Sequence, residues 1–134
     1  MDHALEQAVH QRANHLCEYC RLPEALSDLG HVIDHIKARQ HGGETVTENL
    51  ALCCGRCNLH KGPNLTGVDP ASGRVVRLFN PREHTWHQHF LWDGSKLLGL
   101  TPIGQATISV LAINDPIRLA SRSILIATGK LRLA

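Results

Sequence analysis

No stretch of the 134-residue sequence approaches the roughly 20 consecutive apolar residues that a membrane helix requires. The N-terminus, MDHALEQAVHQRANHL, lacks the basic start, apolar middle and small-residue cleavage site of a secretory signal, and no internal repeat or low-complexity segment interrupts the chain. These absences point away from membrane and export and lead to an expected cytoplasmic location. Charge of either sign is also scarce in excess: the net charge is +2 and the pI about 8.4, a mild basic balance that suits a polyanionic partner without identifying one. The length fits one domain, or a small domain with an extension.

Cysteine is present and unevenly placed. All five cysteines fall in two groups, Cys17 and Cys20 in "CEYC" and Cys53, Cys54 and Cys57 in "CCGRC". In a reducing compartment such pairs serve metal binding more often than disulfides. Two residues between thiolates let both sulfurs of a tight turn reach one ion, and two such turns complete a tetrahedral zinc site. Cys54 with Cys57 repeats the spacing of Cys17 with Cys20, whereas Cys53 with Cys57 is one residue looser, so Cys53 is expected in the apolar core. The expected structural zinc ligands are therefore Cys17, Cys20, Cys54 and Cys57, with reduced core cysteines or a redox pair as the alternative.

The remaining patterns predict an α+β chain. ALEQAVHQRANHL reads as a helix with Ala4, Ala8, His15 and Leu16 along one side. Val32, Ile33 and Ile36 favour a strand in LGHVIDHIKA, and QHGGE supplies glycines for a hairpin or tight loop. TVTENLALCCGRCNLHKG opens with a cap at Thr47 or Asn49 and runs into a helix at the second knuckle. Beyond Pro63, VVRLFN reads as a strand and HFLWDGSKLLGL as a hairpin turning at Asp93 and Gly94. Thr101 caps a helix with Pro102 at its first position, and a second helix follows from Asp115 and Pro116.

Between the two knuckles, "HVIDH" sets Asp34 and His35 side by side in an apolar stretch. With "GG", Asn49 in "ENL" and Asn58 in "CNLHKG", this order resembles the HNH nuclease family, the ββα-metal finger, over roughly residues 12 to 62. The second half resembles, more weakly, the tail of small bacterial HNH proteins. The resemblance implies a zinc-pinned ββα-metal unit over residues 1–65 and a small α+β C-terminal extension over residues 66–134. It implies a metal-dependent endonuclease in which His35 is the general base and Asp34 and Asn58 bind a hard catalytic cation, Mg²⁺ or Mn²⁺. Those residue types suit that chemistry, because imidazole titrates near neutral pH and oxygen donors suit a hard ion. Asn49 corresponds to the central Asn of the motif, whose role would be to hold the loop that fixes the His35 ring. Hydrolysis would leave 5′-phosphate and 3′-hydroxyl ends.

Other polar residues have plainer readings. His60 and Lys61 could add a ligand or a phosphate contact, but a solvated helix face is expected. His31 is expected to pack, His41 to sit in a turn, and His84, His87 and His89 in "HTWHQH" lack a recognisable metal pattern even with His87 and His89 on one strand face. Arg12, Arg21, Lys37, Arg39, Arg56 and Lys61 gather in the zinc half and would give DNA-backbone contacts with weak sequence preference. Cutting both strands with one site would be simplest for a homodimer. A catalytically inactive zinc module that binds nucleic acid or protein is the alternative to the enzyme.

Overall fold

The computed structural model describes all 134 residues and divides them into two compact units, one of residues 1–65 with 80–84, the other of residues 66–79 with 85–134. Both mix helices with small two-stranded antiparallel sheets, so the fold class is α+β. No helix is long and apolar enough to cross a membrane.

In the first unit, helix α1 spans His3–Arg12 and begins at Asp2, whose carboxylate accepts the Ala4 N–H. Its inward residue is Val9, followed by Ala13 just past its end, whereas Ala4 and Ala8 are exposed. The side expected from the sequence is thus the solvent side, because one β-branched residue outweighs two alanines in apolar area. Val9 and Ala13 pack with Leu50 and Leu52, and Leu5 and Ile33 close the cluster.

Strand β1, His31–His35, pairs antiparallel with β2, Leu50–Cys54, in a register that sets Asp34 opposite Ala51 and His35 opposite Leu50. Helix α2, Gly55–Lys61, follows β2 without a loop. The helix expected at the second knuckle is present, and the strand β2 that precedes it is an element the local sequence pattern did not indicate. LALCC is buried at every position, so it carries no alternation that would have marked it as a strand.

In the second unit, β3 (Thr66–Val68) pairs with β4 (Val75–Arg77), and the turn α3 (Trp86–His89) leads into the hairpin β5 (Phe90–Asp93) and β6 (Lys96–Gly99). Helices α4 (Pro102–Val110) and α5 (Pro116–Ala127) complete it. Both helices start as the sequence indicates: Thr101 Oγ1 accepts the Gly104 N–H and Asp115 accepts the Arg118 N–H. Phe79, Trp86 and Phe90 form the aromatic core, Phe79 meeting Phe90 edge-on with centroids 5.2 Å apart. His87 and His89 lie on a helical turn rather than sharing a strand face, and His89 Nδ1 is bonded to Thr101 Oγ1.

Candidate active site

The cysteine cluster is built by the two tight turns. Sγ of Cys17 accepts the Cys20 N–H and Sγ of Cys54 accepts the Cys57 N–H, so each turn holds one sulfur in place by its own backbone. All four sulfurs lie within 4.8 Å of one another, and those of Cys20 and Cys54 are 3.7 Å apart. A tetrahedron with metal–sulfur bonds of ~2.3 Å has an edge of about 3.8 Å, so the donor set and spacing fit zinc. Hydrogen bonds from Cys17, then Cys20 and Cys57, hold the Cys54 thiol well below its usual range, while burial pushes Cys17 and Cys57 up. A dication drives such thiols to thiolates. Cys53 is wholly buried and outside the cluster.

Two residues that the sequence did not single out tie the first knuckle to the sheet. Glu18 exchanges bonds with Leu52: its N–H donates to the Leu52 carbonyl at 2.8 Å, and its carboxylate accepts the Leu52 N–H at 2.8 Å. The other carboxylate oxygen pairs with Arg82. A charge inside a knuckle gave no indication of this, because its partner lies 64 positions away.

At the end of β1, His35 is half-buried and its Nε2 is 2.9 Å from the Thr45 hydroxyl. With Thr45 accepting from Nε2–H, the lone pair is left on Nδ1, which no protein group engages. Asn49 clamps the loop between the strands: Oδ1 accepts the Lys37 N–H at 2.9 Å, and Nδ2 donates to the carbonyls of Lys37 and Glu44 at 3.0 and 2.9 Å. The loop closes tightly enough that a Cβ on Gly43 would lie 1.7 Å from the Lys37 oxygen and 2.9 Å from Asn49 Nδ2, which accounts for glycine there.

Asp34 is only 5% exposed. Its carboxylate accepts the Tyr19 hydroxyl at 2.8 Å and pairs with the Lys61 ammonium at 3.1 Å, while Lys61 also donates to the carbonyls of His35 and Ile36. Burial outweighs these contacts and lifts the Asp34 carboxyl above the usual carboxylate range. Asn58 lies half-buried on α2, one turn before Lys61, with its side chain unbonded. The structure therefore pairs Asp34 with Tyr19 and Lys61, and no hydrogen bond joins it to Asn58.

Lys61 corrects the expected solvated helix face and DNA contact, for it is 2% exposed, and only its neighbour His60 is on the surface. A lysine at the end of a short helix reads as solvated until its ammonium is found on Asp34 and the carbonyls of His35 and Ile36. Of the other basic residues, Lys37, Arg39 and Arg56 are exposed and Arg21 is half-buried. Arg12, although exposed, is committed to the carbonyls of Thr47 and Leu50 at 2.9 and 2.6 Å. His31 packs, its Nε2 2.8 Å from the Leu22 carbonyl oxygen.

Residues 17–64 match the family model of the HNH endonucleases. Nuclease action, with metal binding, is the broad activity that the match supports. No curated protein and no solved structure matches the chain.

Proposed function

We propose that the chain is a metal-dependent endonuclease that hydrolyses DNA phosphodiester bonds in the cytoplasm. The observation that carries the reading is His35, fixed by Thr45 on one nitrogen and open on the other beside a loop clamped by Asn49. Nδ1 of His35 takes the proton from water, the hydroxide attacks phosphorus, and the P–O3′ bond breaks to leave 5′-phosphate and 3′-hydroxyl ends. Asn49 positions the loop on which the water and phosphate are held. Asp34 and Asn58 would hold Mg²⁺ or Mn²⁺, which supplies charge neutralisation at the phosphate and the leaving oxygen. Zinc on Cys17, Cys20, Cys54 and Cys57 serves folding. Residues 1–65 are the catalytic part, residues 66–134 an extension, and two copies acting together would cut both strands. The exposed Lys37, Arg39 and Arg56 would meet the DNA backbone.

One observation favours a second reading, a nucleic-acid-binding or protein-binding zinc module without catalysis: Asp34 is buried and already paired with Lys61. A carboxylate has about four acceptor sites, so the pairing leaves capacity for an ion only if the site opens. The two readings separate on supercoiled DNA with Mg²⁺ or Mn²⁺. Cleavage that falls by about 10²-fold or more in zinc-loaded His35→Ala supports the enzyme. Binding without cleavage across metals and DNA forms supports the module, and undiminished cleavage by His35→Ala removes His35 as the base.

A further inference from the structure

Outside the knuckles, a second group of metal-type donors stands at the end of α1. Nδ1 of His10 and Nδ1 of His15 both face the same oxygen of Glu24, at 3.1 and 3.2 Å, and the three donor atoms lie within 4.8 Å of one another. The backbone builds this convergence. Asn14 and His15 both take positive φ, 53° and 58°, and the His15 N–H returns to the His10 carbonyl at 3.0 Å, folding the chain back so that the two imidazoles meet with ring centroids 6.0 Å apart. Positive φ costs free energy at residues other than glycine, so two in succession mark a turn that its surroundings enforce. Glu24 is brought in by a separate device: its N–H donates to the His15 carbonyl at 2.8 Å, next to the bridge between Leu16 and Pro23.

From this geometry we infer that His10, His15 and Glu24 form a second, exchangeable zinc site. The donor set is two imidazoles and one carboxylate, the composition of open zinc sites with a fourth position left to water. A tetrahedral ion with bonds of ~2.0 Å has donor-to-donor edges of about 3.3 Å, close to the two separations observed. The side chains are 25%, 62% and 30% exposed for His10, His15 and Glu24, so an ion reaches the site and leaves it without unfolding the chain. His10 and His15 border a groove of about 260 Å³ on α1, shared with His3, Glu6 and Gln7, that offers room for the solvent ligand. Because His15 and Glu24 flank Cys17 and Cys20, an ion here closes the base of the first knuckle loop and would slow loss of the cysteine-bound metal.

The competing account is that Glu24 simply accepts hydrogen bonds from two imidazole N–H groups. Equilibrium dialysis of the full, untagged chain against micromolar free zinc separates the two. Two zinc ions per chain are expected for the wild type, one for His10→Ala/His15→Ala, and a second-site affinity weakened by about tenfold or more for Glu24→Gln. Cobalt loading checks folding: the thiolate charge-transfer absorption of the cysteine site must be the same in all three proteins. If a variant loses that absorption, the single His15→Gln and His10→Gln proteins give the same measurement with less disturbance. One zinc in the folded wild type overturns the site, as do two zinc ions in the folded double variant.

Discussion

The two units stand on different physics. The first has a small apolar cluster around Leu50 and Leu52 and a polar interior containing Glu18, Asp34 and Lys61 together with the four clustered cysteines. The second has an aromatic core and no such cluster, and its buried charges are Asp69, which accepts from the Ala71 N–H and the Ser72 hydroxyl, and two arginines that cap carbonyls: Arg118 donates to Leu111, and Arg122 to Ser95 and Ile113. Buried thiols and a buried ion pair are costly without partners, whereas guanidinium donors on otherwise open carbonyls satisfy both sides at once. The difference leads us to expect that the first unit leans on a metal at its four cysteines for its fold, whereas the second stands on packing.

Metal removal is the sharpest way to break that comparison. Structural zinc binding is worth roughly 10–16 kcal/mol in small zinc domains, more than most domains have in reserve. Chelation, or Cys57→Ser, should therefore abolish amide protection in residues 1–65 while the fluorescence of Trp86 and Trp92, both in the second unit, stays native. A shift in tryptophan emission on chelation would show that the units do not stand apart in stability.

Lys61→Met comes next, because it leaves the Asp34 carboxylate buried without its cation. A loss of about 3–5 kcal/mol at neutral pH is expected in denaturant unfolding of the zinc-loaded protein, largely recovered in Asp34→Asn/Lys61→Met. Recovery in the double variant separates the ion pair from simple loss of packing. In the second unit, Arg122→Ala strips donors from the Ser95 and Ile113 carbonyls and should cost about 1–3 kcal/mol, read from the tryptophan signal.

Asn49→Ala removes three hydrogen bonds from the loop, yet these are exposed, so about 1–2 kcal/mol of stability is expected. If the enzyme reading holds, its cleavage rate should fall much further than that stability loss explains. Thr101→Ala is the mildest change, about 1 kcal/mol from a lost helix cap, visible only in the unfolding of the second unit.

Much of this architecture was legible beforehand. The hairpin, which turns at Gly94 and Ser95, one residue beyond the expected Asp93 and Gly94, the starts of α4 and α5, and the exclusion of Cys53 from the cluster all follow from local rules of spacing, turn chemistry and capping. What escaped notice was non-local or uniform. The buried strand β2 has no alternation, α1 buries Val9 rather than its alanines, and "HTWHQH" forms a helical turn where a strand was expected. At the site, Asp34, His35, Asn49 and Asn58 were visible as residue types, but Tyr19, Glu18, Arg82 and Thr45 were not, since each acts through a partner at least 10 residues away.

The sequence by itself determined the two knuckles, the α+β class and the HNH order of polar residues, because metal ligation and capping depend on short spacings along the chain. Only the tertiary structure decided that Lys61 points inward to Asp34, that Glu18 bridges the knuckle to β2 and Arg82, and that His10, His15 and Glu24 converge. Those outcomes depend on which side chains are shut away from water together, and burial is a property of the folded surface that no single stretch of sequence carries.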